Sequence, residues 1–153
     1  MVKNNNKCWR GLTLVEVMVT FAILAFVLSG LLALYLNIFL LSDISRQTIL
    51  ASNAAEAEME LIKNTNFDNL LALNGNTFNL NGFPAADAIG VINVSNTAYT
   101  DLLRVRVVIS FRQRGQRIVG EDRNLNGVLD TGEDTNGNGQ IDSSVEIVTL
   151  ISR

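Results

Sequence analysis

Between Val17 and Leu41 stand 25 residues without one charged side chain. Wound as an α-helix at about 1.5 Å per residue, such a run extends roughly 37 Å, enough to cross the hydrocarbon core of a bilayer. A short cationic stretch with Lys3, Lys7 and Arg10 precedes it, and one acid, Glu16, stands at its front. Cationic flanks stay on the cytoplasmic side, so the sequence predicts a single-pass segment that sends the C-terminal part outward. An ionisable group one turn into that segment is costly and calls for a cation as partner.

An ordinary secretory signal fits these residues poorly, because its apolar core is shorter and ends in a small-residue cleavage site. The stretch Arg10-Gly11-Leu12-Thr13-Leu14-Val15-Glu16, followed by an unbroken apolar run, instead resembles the class III signal peptides of type IV pilins and of type II secretion pseudopilins. The resemblance implies a leader of residues 1–11, cleavage after Gly11 by a prepilin peptidase, and methylation of the new N-terminus at Leu12. It also implies that Glu16, as the fifth mature residue, meets the N-terminal amine of a neighbouring subunit in a filament. One departure is the absence of proline from this helix, so any break in it would have to rest on Ser29-Gly30.

Chemistry by side chains is poorly provided for. The chain has no histidine, and its single cysteine, Cys8, lies in the leader. The commonest general base and the commonest transition-metal ligand are therefore missing, and the mature chain has no disulfide. No serine or lysine stands beside an evident base, which argues against an enzyme. Removing the three leader cations leaves 9 Lys and Arg against 15 Asp and Glu, a formal net charge of −6. That balance disfavours nucleic acid as a partner.

Beyond the apolar run, Ile44, Ala51, Ala55, Met59 and Ile62 recur at helical spacing, with Arg46, Asn53, Glu56, Glu60 and Lys63 on other faces. This predicts one continuous helix to about Asn64, apolar all round in residues 12–41 and amphipathic in residues 42–64. Asn-Gly pairs at 74–75 and 81–82 mark turns, Asp68 is a candidate cap for a short helical turn, and Ile89 to Val94 suits a short strand. Strict alternation from Leu103 to Phe111 predicts a strand whose apolar side sits on the helix. Val145 to Ile151 predicts its antiparallel partner, and Gln116 to Val119 prolongs the pairing. The expected fold class is α+β, a long N-terminal helix packed on a small antiparallel sheet formed within residues 65–153. The stretch from Ala51 to Asp68 is similar to PilV-type minor pilins in particular.

Residues 121–146 hold seven acids against Arg123 alone, a local charge of −6. Carboxylates at this density repel one another unless a cation stands among them. Asp122, Asn124, Asn126, Gly127, Asp130 and Glu133 fall at positions 1, 3, 5, 6, 9 and 12 of an EF-hand loop, where alternate oxygens converge on Ca²⁺; Val128 would add its carbonyl at position 7. Twelve residues on, the pattern returns as Asp134, Asn136, Asn138, Gly139, Gln140 and Asp142. This second copy is incomplete, since Val145 stands where the bidentate acid belongs. With no room for flanking helices, the insert is similar to the calcium loops of dockerins or thrombospondin type 3 repeats. Leu129 and Ile141, at matching positions, would tuck it onto the domain. Oxygen donors without histidine or cysteine exclude a zinc or copper site, and the alternative to calcium is a solvated acidic hairpin.

The sequence thus points to a minor pilin or pseudopilin, a non-enzymatic filament subunit of the inner membrane with its C-terminal domain in the periplasm or outside the cell. The expected partners are other pilins, a prepilin peptidase and an inner-membrane assembly platform. A type II secretion pseudopilin shares the same N-terminus. A membrane-tethered, calcium-dependent adhesin or receptor is the rival from another class.

Overall fold

The computed structural model describes residues 13–113 and 116–153. The leader, with Gly11 and Leu12, lies outside the described residues. Contacts divide the chain into two units, Met1–Leu41 and Ser42–Arg153.

Helix α1 runs from Leu14 to Lys63. Thr13 caps its start, its Oγ1 accepting the Glu16 N–H at 3.3 Å, and Glu16 sits in the first turn, where the helix dipole favours an acid. The helix passes through Ser29-Gly30 without interruption; the Ser29 hydroxyl donates to the Phe26 carbonyl at 2.8 Å. In the first unit its apolar side chains are exposed all round, and the most apolar window has a mean hydropathy of 2.6. By length and composition it can cross a membrane.

In the second unit α1 buries one stripe, Ala51, Ala55, Met59 and Ile62. Ile44, expected on that stripe, is instead 37% exposed, because the core begins about two turns further along. At the helix end the side chains of Asn64 and Thr65 donate to the carbonyls of Glu60 and Leu61, which also accept the Asn64 backbone N–H. A short helix α2 (Phe67–Leu70) follows, flanked by Asn66 rather than capped by Asp68; Asp68 pairs with Arg153.

Among the described residues the sheet has five antiparallel strands: β1 (Thr77–Phe78), β2 (Ala88–Asn96), β3 (Leu102–Arg112), β4 (Ile118–Val119) and β5 (Glu146–Ser152). Strand β3 is the centre. On one side it pairs along its length with β2; on the other it meets β5 through Leu102–Val108 and β4 through Phe111–Arg112. Because successive side chains alternate, Leu103, Val105, Val107, Ile109 and Phe111 all face the helical stripe and are buried. Arg104, Arg106, Val108 and Ser110 occupy the opposite face. The residues between β4 and β5 form an excursion from one side of the sheet, and it returns over that second face.

Strand β1, which the alternation pattern does not reveal, depends on a glycine. Phe78 pairs with Gly90 and lays its ring where residue 90 would carry a side chain. A Cβ there would overlap the far edge of the ring, so Gly90→Ala must push Phe78 aside. We expect it to cost about 1–3 kcal/mol, as overpacking does. Thermal melts of the solubilised protein check this: Phe78→Ala/Gly90→Ala should lose much less than the sum of the two single changes, whereas additive losses would place the damage elsewhere.

Candidate functional site

The insert consists of two loops of the same local construction. In the first, the Asp122 carboxylate accepts the N–H groups of Asn126 (3.1 Å) and Gly127 (2.7 Å). Asn124 Oδ1 accepts from the Asn126 N–H, and Asn126 Oδ1 from the Val128 N–H. Both asparagine amide groups donate to Asp130 Oδ2, at 2.6 and 2.9 Å. The second loop repeats every element twelve residues later. Asp134 accepts from Asn138 (3.1 Å) and Gly139 (2.9 Å), Asn136 Oδ1 from Asn138, Asn138 Oδ1 from Gln140, and both Nδ2 groups turn to Asp142 Oδ2. The glycines at position 6 have positive φ in both copies, +81° at Gly127 and +71° at Gly139, a conformation glycine adopts without strain.

Closure of the loops involves a residue that spacing alone does not assign. Glu133 closes the first, Oε1 accepting from the Arg123 N–H (2.9 Å) and Oε2 from the Asp130 N–H (3.1 Å). In the second loop the equivalent bonds, from the N–H groups of Thr135 (3.1 Å) and Asp142 (3.2 Å), go to Glu121. The acid missing at Val145 is thus supplied from before the first loop. The signal for it is the Glu-Asp pair that opens each copy, 121–122 and 133–134. Val145 itself is buried in the main core, its carbonyl accepting from the Ile109 N–H at 3.0 Å.

The insert packs on the outer sheet face. Ile141 and Leu129 join Val91 and Val108 in a second apolar cluster, so Val108 is fully buried despite facing away from the helix. Gly127 approaches the sheet so closely that a Cβ would overlap the Thr77 methyl and come 3.3 Å from Ile89 Cδ1, while Gly139 has open space around it.

Charge is treated differently in the two loops. In the first, Asp122 is 0% and Glu133 6% exposed, yet neither forms an ion pair with any lysine or arginine among the described residues. In the second, Arg106 of β3 reaches Gln140 Oε1, Asp142 Oδ1 and Glu146 Oε2, the last at 2.8 Å. Burial opposes the Arg106 charge, but its bonds to Glu146 and Asp142 and their charges outweigh that and raise its pKa. The Arg106 hydrogen bond, followed by that of Asn136, holds the Asp142 carboxyl below the usual range against burial. Among the described residues, no three acidic, histidine or cysteine side chains stand together as a metal-binding group. The acids of each ring alternate with amides, and their oxygens are engaged by N–H donors.

Two outcomes follow. Gly127→Ala should lower the melting midpoint by several degrees more than Gly139→Ala, since only the first adds a clash to the strain of positive φ; equal losses would show that the contact with Thr77 is slack. A depressed folded pKa at Asp142 contributes stability above the ordinary carboxylate pKa and loses it as pH falls through the folded value. Wild type and Arg106→Gln should therefore differ most near neutral pH and converge below about pH 4 in melts of each across pH.

Of the remaining expected positions, Glu16 lies in the first turn of α1, and no cation pairs with it among the described residues. A family model described as the prokaryotic N-terminal methylation motif matches residues 10–32. No curated protein and no solved structure matches the chain. The motif belongs to structural rather than enzymatic proteins, and with the apolar helix it is consistent with anchoring in the inner membrane. It supports a type IV pilin-like signal on this chain, with the processing by prepilin peptidase and the association with other pilins that such a signal suggests.

Proposed function

We propose that the chain is a minor pilin or pseudopilin: a filament subunit cut after Gly11, methylated at Leu12, and assembled through the apolar half of α1. The observation that carries this reading is the methylation motif over residues 10–32, set on a helix whose side chains are exposed all round. Exposed Leu, Ile, Val and Phe at this density require a lipid or protein environment. In the membrane the helix lies in lipid; in a filament the same surface is covered by neighbouring helices, and Glu16 takes the amine of an adjacent subunit as its cation. The N-terminus is cytoplasmic and residues 65–153 form a periplasmic or surface domain.

Calcium stabilises that domain through the insert. Two buried carboxylates with no ion-pair partner among the described residues are expensive, and a divalent ion in the first loop removes the expense. Asp122, Asn124, Asn126, Asp130 and Glu133 supply oxygens of the hard kind Ca²⁺ prefers, with the Val128 carbonyl. Asp134, Asn136, Asn138, Gln140 and Asp142 form the companion loop. The ion has a structural role, since the acids are spaced for chelation and stand beside no nucleophile.

Intact mass and N-terminal sequencing of the membrane-extracted protein, with and without an active prepilin peptidase, test the first part. The expected product begins at a methylated Leu12 only when the peptidase is present; an uncut chain retaining Cys8 and Trp9 points to a tethered calcium-dependent receptor instead. Melts with calcium or chelator test the second. At a hundredfold excess over Kd, calcium should add about 2.7 kcal/mol to the folded state, and Glu133→Gln should remove most of that gain. Identical melts in calcium and chelator would sink the calcium reading.

A further inference from the structure

The two loops share one backbone construction and both are closed by a glutamate, so geometry alone does not tell them apart; charge does. Asp130 of the first loop receives only amide N–H groups, whereas its counterpart Asp142 receives the Arg106 guanidinium. Arg106 is firmly placed. It sits on the central strand between Asn93 of β2 and Val148 of β5, its side chain is only 12% exposed, and it also binds Glu146. Its bond to Gln140 falls at position 7, the position taken by Val128 in the first loop. A guanidinium cannot be deprotonated or leave, and a fixed positive charge against a ring acid weakens any divalent ion at that ring.

We propose that Arg106 is the resident cation of the second loop, so that the insert has one calcium-dependent loop and one arginine-held loop, and the protein binds a single calcium ion. The stoichiometry rests on the calcium reading of the first loop; the arginine's role does not. Burial agrees with the division. Asp122 and Glu133 of the first loop are buried with no ion-pair partner among the described residues, while Asp134 and Glu121, which serve the second, are only half-buried. Arg106 is a positioning residue, and it determines how many ions the insert holds.

Calorimetric titration of the full-length, detergent-solubilised protein with calcium alone tests this, together with limited proteolysis in chelator. Wild type should bind one ion, Asp134→Asn should still bind one, and Glu133→Gln none. Arg106→Met should gain a second site, with affinity at least tenfold above any second-site binding by wild type. Arg106→Lys, which keeps the charge, should stay at one. In chelator, residues 134–146 of wild type should resist cleavage and those of Arg106→Met should not, while the first loop is cut in both. Two ions in wild type, one of them lost in Asp134→Asn, would overturn the proposal and leave the calcium reading standing. No binding by wild type would overturn the single-ion count along with the calcium reading, and the proteolysis would then decide the arginine's role by itself: equal cleavage of 134–146 in wild type and Arg106→Met ends it. If Arg106→Met fails to fold, the wild-type and Asp134→Asn counts still decide the stoichiometry, and Arg106→Gln takes its place in the proteolysis to decide the arginine's role.

Discussion

The domain depends on burying both faces of one strand. Strand β3 has hydrogen-bonded neighbours on either side, and its alternation sends Leu103, Val105, Val107, Ile109 and Phe111 to the helical stripe and Arg104, Arg106, Val108 and Ser110 the other way. The first face is an ordinary apolar core. The second has too little apolar surface for another one, and it is closed by the insert through Ile141, Leu129 and the ion pairs of Arg106. Without the insert, Val108 and Val91 would face solvent and Arg106 would lose its acids. The loops are therefore part of the packing of the domain as well as a candidate ion site, and a change in their state reaches the central strand directly.

How much of this could be read from the residues depended on the distance over which each feature is encoded. Strand β3, expected over 103–111, runs from 102 to 112, and β5, expected over 145–151, from 146 to 152, because a period-two pattern is written inside the strand. The helical stripe was legible for the same reason, apart from Ile44, whose exposure depends on where the sheet begins to cover the helix. The two-residue strand β1 was not, since it exists through Phe78 lying on Gly90, twelve residues away. The twelve-residue repeat was plain, and so was the inward role of Leu129 and Ile141. The roles of Glu121 and Arg106 were hidden, because each acts on partners 14 to 40 residues distant that only the folded insert brings near.

The defect at Val145 shows how a local rule misleads. By loop spacing the residue is a missing ligand. In the fold it is the first step of the return to the sheet: its side chain enters the core and its carbonyl takes the Ile109 N–H, where β3 has neither β4 nor β5 beside it. An acid at that point would bury a charge in an apolar cluster, which is far costlier than losing one ring oxygen. The position answers to the sheet, and the ring is closed instead by Glu121, which stands at the other end of the same excursion.

The same logic separates the charges of the two loops. A loop whose acids lie over the central strand has a permanent positive charge within reach of β3, since arginine on the outer face costs little until the insert covers it and is then neutralised by Asp142 and Glu146. The first loop lies instead beside Thr77 and Ile89, towards β1 and β2, and no arginine pairs with its acids among the described residues. Its buried acids have no ion-pair partner among the described residues, and under the calcium proposal their counter-charge comes from solution. On that proposal, a compartment where calcium is plentiful keeps the loop filled at no cost to the folded protein.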